Sequence, residues 1–132
     1  MKIKYTSLLH GFYLIVIIMT FSLSAAAQDK RMVRIAKIEV YPAQLKQYNT
    51  ALKEQMTTAI KMEPGVLTYY AVADKADPSH ITILEIYADT AAYRAHTQTL
   101  HFKKYKATVQ NMVKKLELMD VTLIASANKE GM

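Results

Sequence analysis

The sequence predicts an α+β domain with the element order β-α-β-β-α-β, and three observations carry the prediction. Four segments are rich in β-branched and aromatic residues, the composition of strands. Two stretches between them carry apolar residues at helical spacing. Clusters of proline, glycine and aspartate fall between the segments, where the chain must turn.

The first 27 residues stand apart from that pattern. Lys2 and Lys4 open the chain, an apolar run follows from Phe12 to Leu23, and Ala25-Ala26-Ala27 precede Gln28. A basic start, a short apolar run and an A-x-A end describe a secretory signal peptide cut after Ala27. The apolar run is short of the roughly 20 residues that span a bilayer, which argues against a retained anchor. The expected organisation is therefore a leader over 1–27 and one domain over 28–132, periplasmic or secreted, with no membrane contact after cleavage.

Within that domain Met32 to Val40 (MVRIAKIEV) reads as the first strand, ended by Tyr41-Pro42 because proline cannot donate to a ladder. Ala43 to Met62 reads as a helix whose stripe is Leu45, Tyr48, Leu52, Met56 and Ile60. Glu63-Pro64-Gly65 stops it. Val66 to Ala73 and His80 to Ala88 read as a strand pair around the turn-forming Asp74 to Ser79. Asp89 is an N-cap for a helix from Thr90 to about Thr99. A second helical stretch is expected over Phe102 to Leu116, then a fourth strand over Met119 to Ala127 and a polar tail. This is the ferredoxin-like split pattern, an antiparallel sheet with its helices on one face.

The strands are apolar on both sides. Val66, Tyr70 and Val72 share one parity, and Leu67, Tyr69, Ala71 and Ala73 the other. In the third strand Ile81, Ile83 and Tyr87 oppose Leu84 and Ile86. One domain has helices for one face, so a second copy packed by two-fold symmetry is the expected cover for the other, giving a dimeric α/β barrel.

The formal charge is +6, and removing Lys2 and Lys4 with the leader leaves +4. That balance aids solubility and gives no footprint for nucleic acid. There is no cysteine, so packing and association must stabilise an exported chain without disulfides.

The stretch from Glu63 to Tyr105 is the most informative. It contains Glu63-Pro64-Gly65, Leu67, Tyr69, Pro78, Glu85, Tyr87, Asp89, Ala92, His96, His101-Phe102 and Tyr105. In this order and spacing they resemble the antibiotic biosynthesis monooxygenase family, including its quinol monooxygenase-like members. The resemblance implies a ferredoxin-like dimer with a pocket in each protomer. It implies oxygenation of phenols or quinols by O2 without a cofactor for some members, haem degradation for others, and processing of a phosphorylated signalling sugar in a related class. The haem-degrading and anthrone-oxidising members use a tryptophan near the pocket, and this chain has none.

His96 and His101 are the leading catalytic candidates, because imidazole moves protons near neutral pH and a quinol hydroxyl needs a base to ionise it. On one continuous helix their i to i+5 spacing would set the rings about 140° apart, so they share a site only if the helix breaks near Thr99-Leu100. Glu85, a carboxylate in an apolar strand, is the third catalytic candidate: it could orient a histidine, bind a substrate hydroxyl, or pair with Arg34, Lys37 or Arg94. Tyr69, Tyr87, Phe102 and Tyr105 are the expected substrate-binding wall. Met56, Met112 and Met119 read as core filling. Two histidines and a glutamate could hold iron, but no metal-binding spacing accompanies them, so no metal is expected, and the resemblance to the cofactor-independent members implies no cofactor. Three readings remain open: an oxygenase, an isomerase or lyase that enolises a small hydroxy-ketone, and a non-catalytic small-molecule-binding envelope protein.

Overall fold

Strand β1 (Met32–Val40) occupies the middle of the fold, and everything else is arranged about it. The computed structural model describes residues 29–129, and the leader expected over 1–27 lies outside them. After β1 a short 3-10 turn, Pro42–Gln44, leads into α1 (Leu45–Met62). Strands β2 (Val66–Ala73) and β3 (His80–Tyr87) follow, then α2 (Thr90–Gln98), α3 (Leu100–Val109) and β4 (Val113–Val121). The sheet is antiparallel in the order β2-β3-β1-β4, the ferredoxin-like arrangement, and it is open, with β2 and β4 at its edges.

The register fixes which side chains meet the helices. Ala36 pairs with Ile83 and Ile38 with Ile81, and these four pack against Tyr48 and Leu52 of α1 and Val109 of α3. Arg34 and Glu85 pair one step further along and so point to the same side. A bulge between Val66 and Thr68 lets both Val66 and Tyr69 reach that side, where period-two alternation alone would separate them. On the opposite side Ile35, Leu84 and Met119 are partly covered, while Tyr70 and Val72 are 59% and 64% exposed. No helix among the described residues covers that side or is long and apolar enough to cross a membrane.

Three expectations need correction. The helix expected to run to Leu116 ends at Val109, and the last strand is Val113–Val121 rather than Met119 to Ala127. Residues 113–121 pair with β1 from Val33 to Val40, which satisfies backbone groups that a longer helix would leave open. Lys114 and Lys115 therefore stand on an edge strand, not on a helix face. The buried stripe of α1 is Tyr48, Leu52, Gln55 and Ala59, and Ile60 is 48% exposed. The true stripe has the same period as the expected one, but it carries a glutamine where an apolar residue would mark it.

Candidate active site

Thr99 creates the site by breaking the helix. Its backbone is extended, its N–H donates to the His96 carbonyl and so closes α2, and its hydroxyl accepts from Phe102 N–H and so opens α3. The Asp89 carboxylate, accepting from Ala92 N–H at 2.7 Å, caps the other end of α2. The kink turns His101 back toward His96, with ring centroids 6.2 Å apart. The condition set by the spacing is thus met.

What joins the two rings is Glu63, the residue that ends α1. His96 Nδ1 lies 2.9 Å and His101 Nε2 lies 2.6 Å from the same Glu63 Oε1. An ionised carboxylate only accepts, so while Glu63 is ionised both ring nitrogens donate to it. The three groups are chemically suitable for a cation. Their spacing is that of hydrogen bonds, shorter than the roughly 3.3 Å that separates two ligands around a tetrahedral ion at ~2.0–2.1 Å. His96 is fully buried, and burial lowers its pKa, with His101 adding to the effect and Glu63 opposing it.

The other face of His96 meets a tyrosine pair. Its Nε2 lies 3.0 Å from the Tyr69 hydroxyl and 3.1 Å from Gln55 Nε2. The Tyr69 hydroxyl is 2.7 Å from that of Tyr87, which donates to Glu85 Oε2 at 2.9 Å. Burial raises the pKa of Glu85, with Tyr87 and Arg34 pulling the other way, and burial likewise raises both tyrosines. Gln55 Oε1 is buried without a hydrogen-bond partner among the described residues.

Tyr69, Glu85 and Tyr87 open onto a cavity of about 450 Å³ between the sheet and the helices. Its body is apolar, with Ile38, Leu52, Ile83 and Val109 among the walls, and Phe102 and Tyr105 line it as well. Leu116 and Leu118 flank it on the β4 side. An apolar cavity with a few converging polar groups is the form of a small-molecule site.

The expected site residues therefore divide. Tyr69, Tyr87, Phe102, Tyr105 and Glu85 share the cavity wall. His96 stands one hydrogen bond behind it, reaching the interior through Tyr69. His101 faces a separate cleft between α1 and α3. Glu85 orients neither histidine, and Glu63 does so instead. Sequence reasoning passed over Glu63 and Gln55: the first looked like part of a helix stop, and the second was hidden in an apolar stripe. The one signal for Glu63 was its place in the Glu63-Pro64-Gly65 motif.

Fold and cavity together define a ferredoxin-like domain built around a small-molecule site. The model of the family "Antibiotic biosynthesis monooxygenase" matches residues 31–108, and the chain belongs to that family. It is 50% identical to a solved structure described as "Putative antibiotic biosynthesis monooxygenase from Bacteriodes thetaiotaomicron", with a TM-score of 0.73, covering 76% of this chain and 95% of that one. It is 31% identical to a "putative monooxygenase from Lactobacillus acidophilus", with a TM-score of 0.70, covering 73% of this chain and 46% of that one. A structure from Nitrosomonas europaea at 19% identity and a TM-score of 0.70 shares the fold. No curated protein matches the chain.

Proposed function

We propose that the protein is a cofactor-independent monooxygenase that oxidises a small quinol or phenol with O2, exported after cleavage at Ala27 and working as a homodimer. The observation that carries this reading is the convergence of Glu85, Tyr69 and Tyr87 on one end of an otherwise apolar cavity. A flat aromatic ring fits the apolar walls, and its hydroxyl would meet the polar end.

A phenolic hydroxyl has a pKa near ~10 and must ionise before it gives up an electron readily. Burial makes Glu85 a stronger base than an ordinary carboxylate, suited to take that proton. The phenolate passes one electron to O2, and the radical and superoxide combine to form a C–O bond. Protonation gives a hydroperoxide. Loss of the ring proton at that carbon, with cleavage of the O–O bond, releases water and leaves a carbonyl. One quinol and one O2 thus become one hydroxylated quinone and one water. The tyrosine hydroxyls hold the substrate oxygen and the developing negative charge.

The homodimer reading rests on Tyr70 and Val72, exposed on the sheet face that no described helix covers. An oxygen electrode tests the activity. Purified protein is expected to consume O2 with one or more members of a quinol and catechol panel, and Glu85→Gln is expected to reduce kcat by ~10²-fold or more. Proton exchange into a hydroxy-ketone without O2 uptake would favour the enolising alternative. Ligand-induced thermal stabilisation without any turnover would favour a binding protein.

A further inference from the structure

We infer that Glu63, His96, Tyr69, Tyr87 and Glu85 form a proton wire between the buried end of the cavity and the cleft at His101. Four hydrogen bonds link the five residues without a gap, at 2.9, 3.0, 2.7 and 2.9 Å in that order. His101 Nε2 extends the line by 2.6 Å from Glu63 toward the α1–α3 cleft that it lines. Each tyrosine has one hydroxyl hydrogen and each bond needs one, so the chain has two complete arrangements.

In the first arrangement Tyr87 donates to the Glu85 carboxylate and Tyr69 donates to Tyr87. His96 Nε2–H donates to Tyr69, and a protonated Glu63 donates to Nδ1. In the second, Glu85 carries the proton and every bond is reversed, so that His96 Nδ1–H donates to the Glu63 carboxylate. Passing from one to the other moves four hydrogens, each across one hydrogen bond. The O–H of Glu63 breaks and an O–H on Glu85 forms, while His96 and both tyrosines end neutral as they began. No backbone atom has to move; the Gln55 amide turns over as the His96 tautomer changes. Gln55 fits this role, because its amide faces His96 Nε2 and either end can meet the ring as its tautomer changes.

The purpose assigned to the wire rests on the oxygenase reading. That reaction alternately takes a proton from the substrate and returns one to a peroxide at the buried end of the cavity, where Glu85 and Tyr87 lie. A line to solvent lets Glu85 exchange its proton between turnovers.

The test needs no substrate. Nitrogen-15 shifts of the His96 ring and carbon-13 shifts of the Glu85 carboxyl are followed against pH in the full folded domain. Glu85 is faced by Arg34 from β1, Tyr69 from β2, Tyr48 from α1 and Tyr105 from α3, with Tyr93 of α2 beside Tyr87. His96 is faced by Glu63, His101, Tyr69 and Tyr87. The proposal predicts that the Glu85 inflection also appears at His96 and that Tyr69→Phe removes it from His96 while Glu85 still titrates. Tyr87→Phe, which cuts a different bond, is expected to act alike, and circular dichroism checks that each variant folds. An inflection that survives at His96 in both folded variants, or one absent from the wild type, would overturn the wire. Coupled titration without O2 uptake would sink the oxygenase reading alone. O2 uptake with uncoupled titrations would sink the wire alone.

Discussion

Arg34 and Glu85 stand opposite each other in the β1–β3 register, yet the guanidinium bonds Asp120 on β4 instead. Its Nη2 lies 2.7 Å from Asp120 Oδ1, and its Cζ sits 4.3 Å from the centre of the Tyr93 ring. Asp120 and Tyr93 thereby hold a cation beside the cavity while leaving the Glu85 carboxylate without an ion pair among the described residues. That separation preserves the basicity which burial gives to Glu85.

Asp120→Asn should undo this. With its partner neutralised, Arg34 is expected to turn toward Glu85 and lower its pKa. The limb of the pH–rate profile that reports Glu85 should move to lower pH, and the maximal rate should fall by several-fold. Stability should change by less than ~1 kcal/mol, because Asp120 is 69% exposed and solvent screens its charge. An unchanged profile would show that Asp120 does not hold Arg34 away.

His96 gives the stability a pH dependence of definite sign. Burial depresses its folded pKa below the ordinary value near ~6.5. As pH falls through that value the unfolded chain takes up the proton first, so the folded state loses ground. Stability should be full above about pH 6.5 and decline below it. Tm is expected to drop by several degrees, the response of ~1 kcal/mol in a domain of this size. His96→Gln should lower Tm at neutral pH but flatten the slope between about pH 7 and 5. Thermal scans across that window decide it, and an unaltered slope in the variant would contradict the assignment.

Gly65 tests how closely the second strand must approach α2. A Cβ there would lie 2.5 Å from the Cβ of Ala92, well inside contact distance. Gly65→Ala should cost ~1–3 kcal/mol, as overpacking does elsewhere. Adding Ala92→Gly should restore part of that loss, despite the roughly 1 kcal/mol that glycine costs inside a helix. Denaturant melts of the two single variants and the double variant give the coupling, and strict additivity would place the clash elsewhere.

Much of this was legible in the chain. MVRIAKIEV and VLTYYAVA have no other sensible reading than strands, and β1 and β2 occupy those residues. The break at Thr99 followed from asking how two histidines five residues apart could cooperate. Strand β4 was misplaced because Val109, Met112, Val113 and Leu116 satisfy a helical spacing, while Leu116 and Leu118 equally satisfy alternation. Pairing with β1, a contact distant in sequence, settles which prevails. Glu63 was obscured for a similar reason. A glutamate before Pro64-Gly65 has a sufficient local explanation as the end of a helix. Its meeting with His96 and His101 arises only when α1 and the α2–α3 kink pack together.

The fate of the oxygen atoms tests the central claim most directly. Under an atmosphere of 18-O2, with a quinol that supports uptake, mass spectrometry should find one labelled atom in the hydroxylated quinone and the other in water. Glu85→Gln should form the same labelled quinone ~10²-fold more slowly. A quinone without label, formed together with hydrogen peroxide, would mean that the cavity oxidises its substrate without transferring oxygen, and would contradict the account.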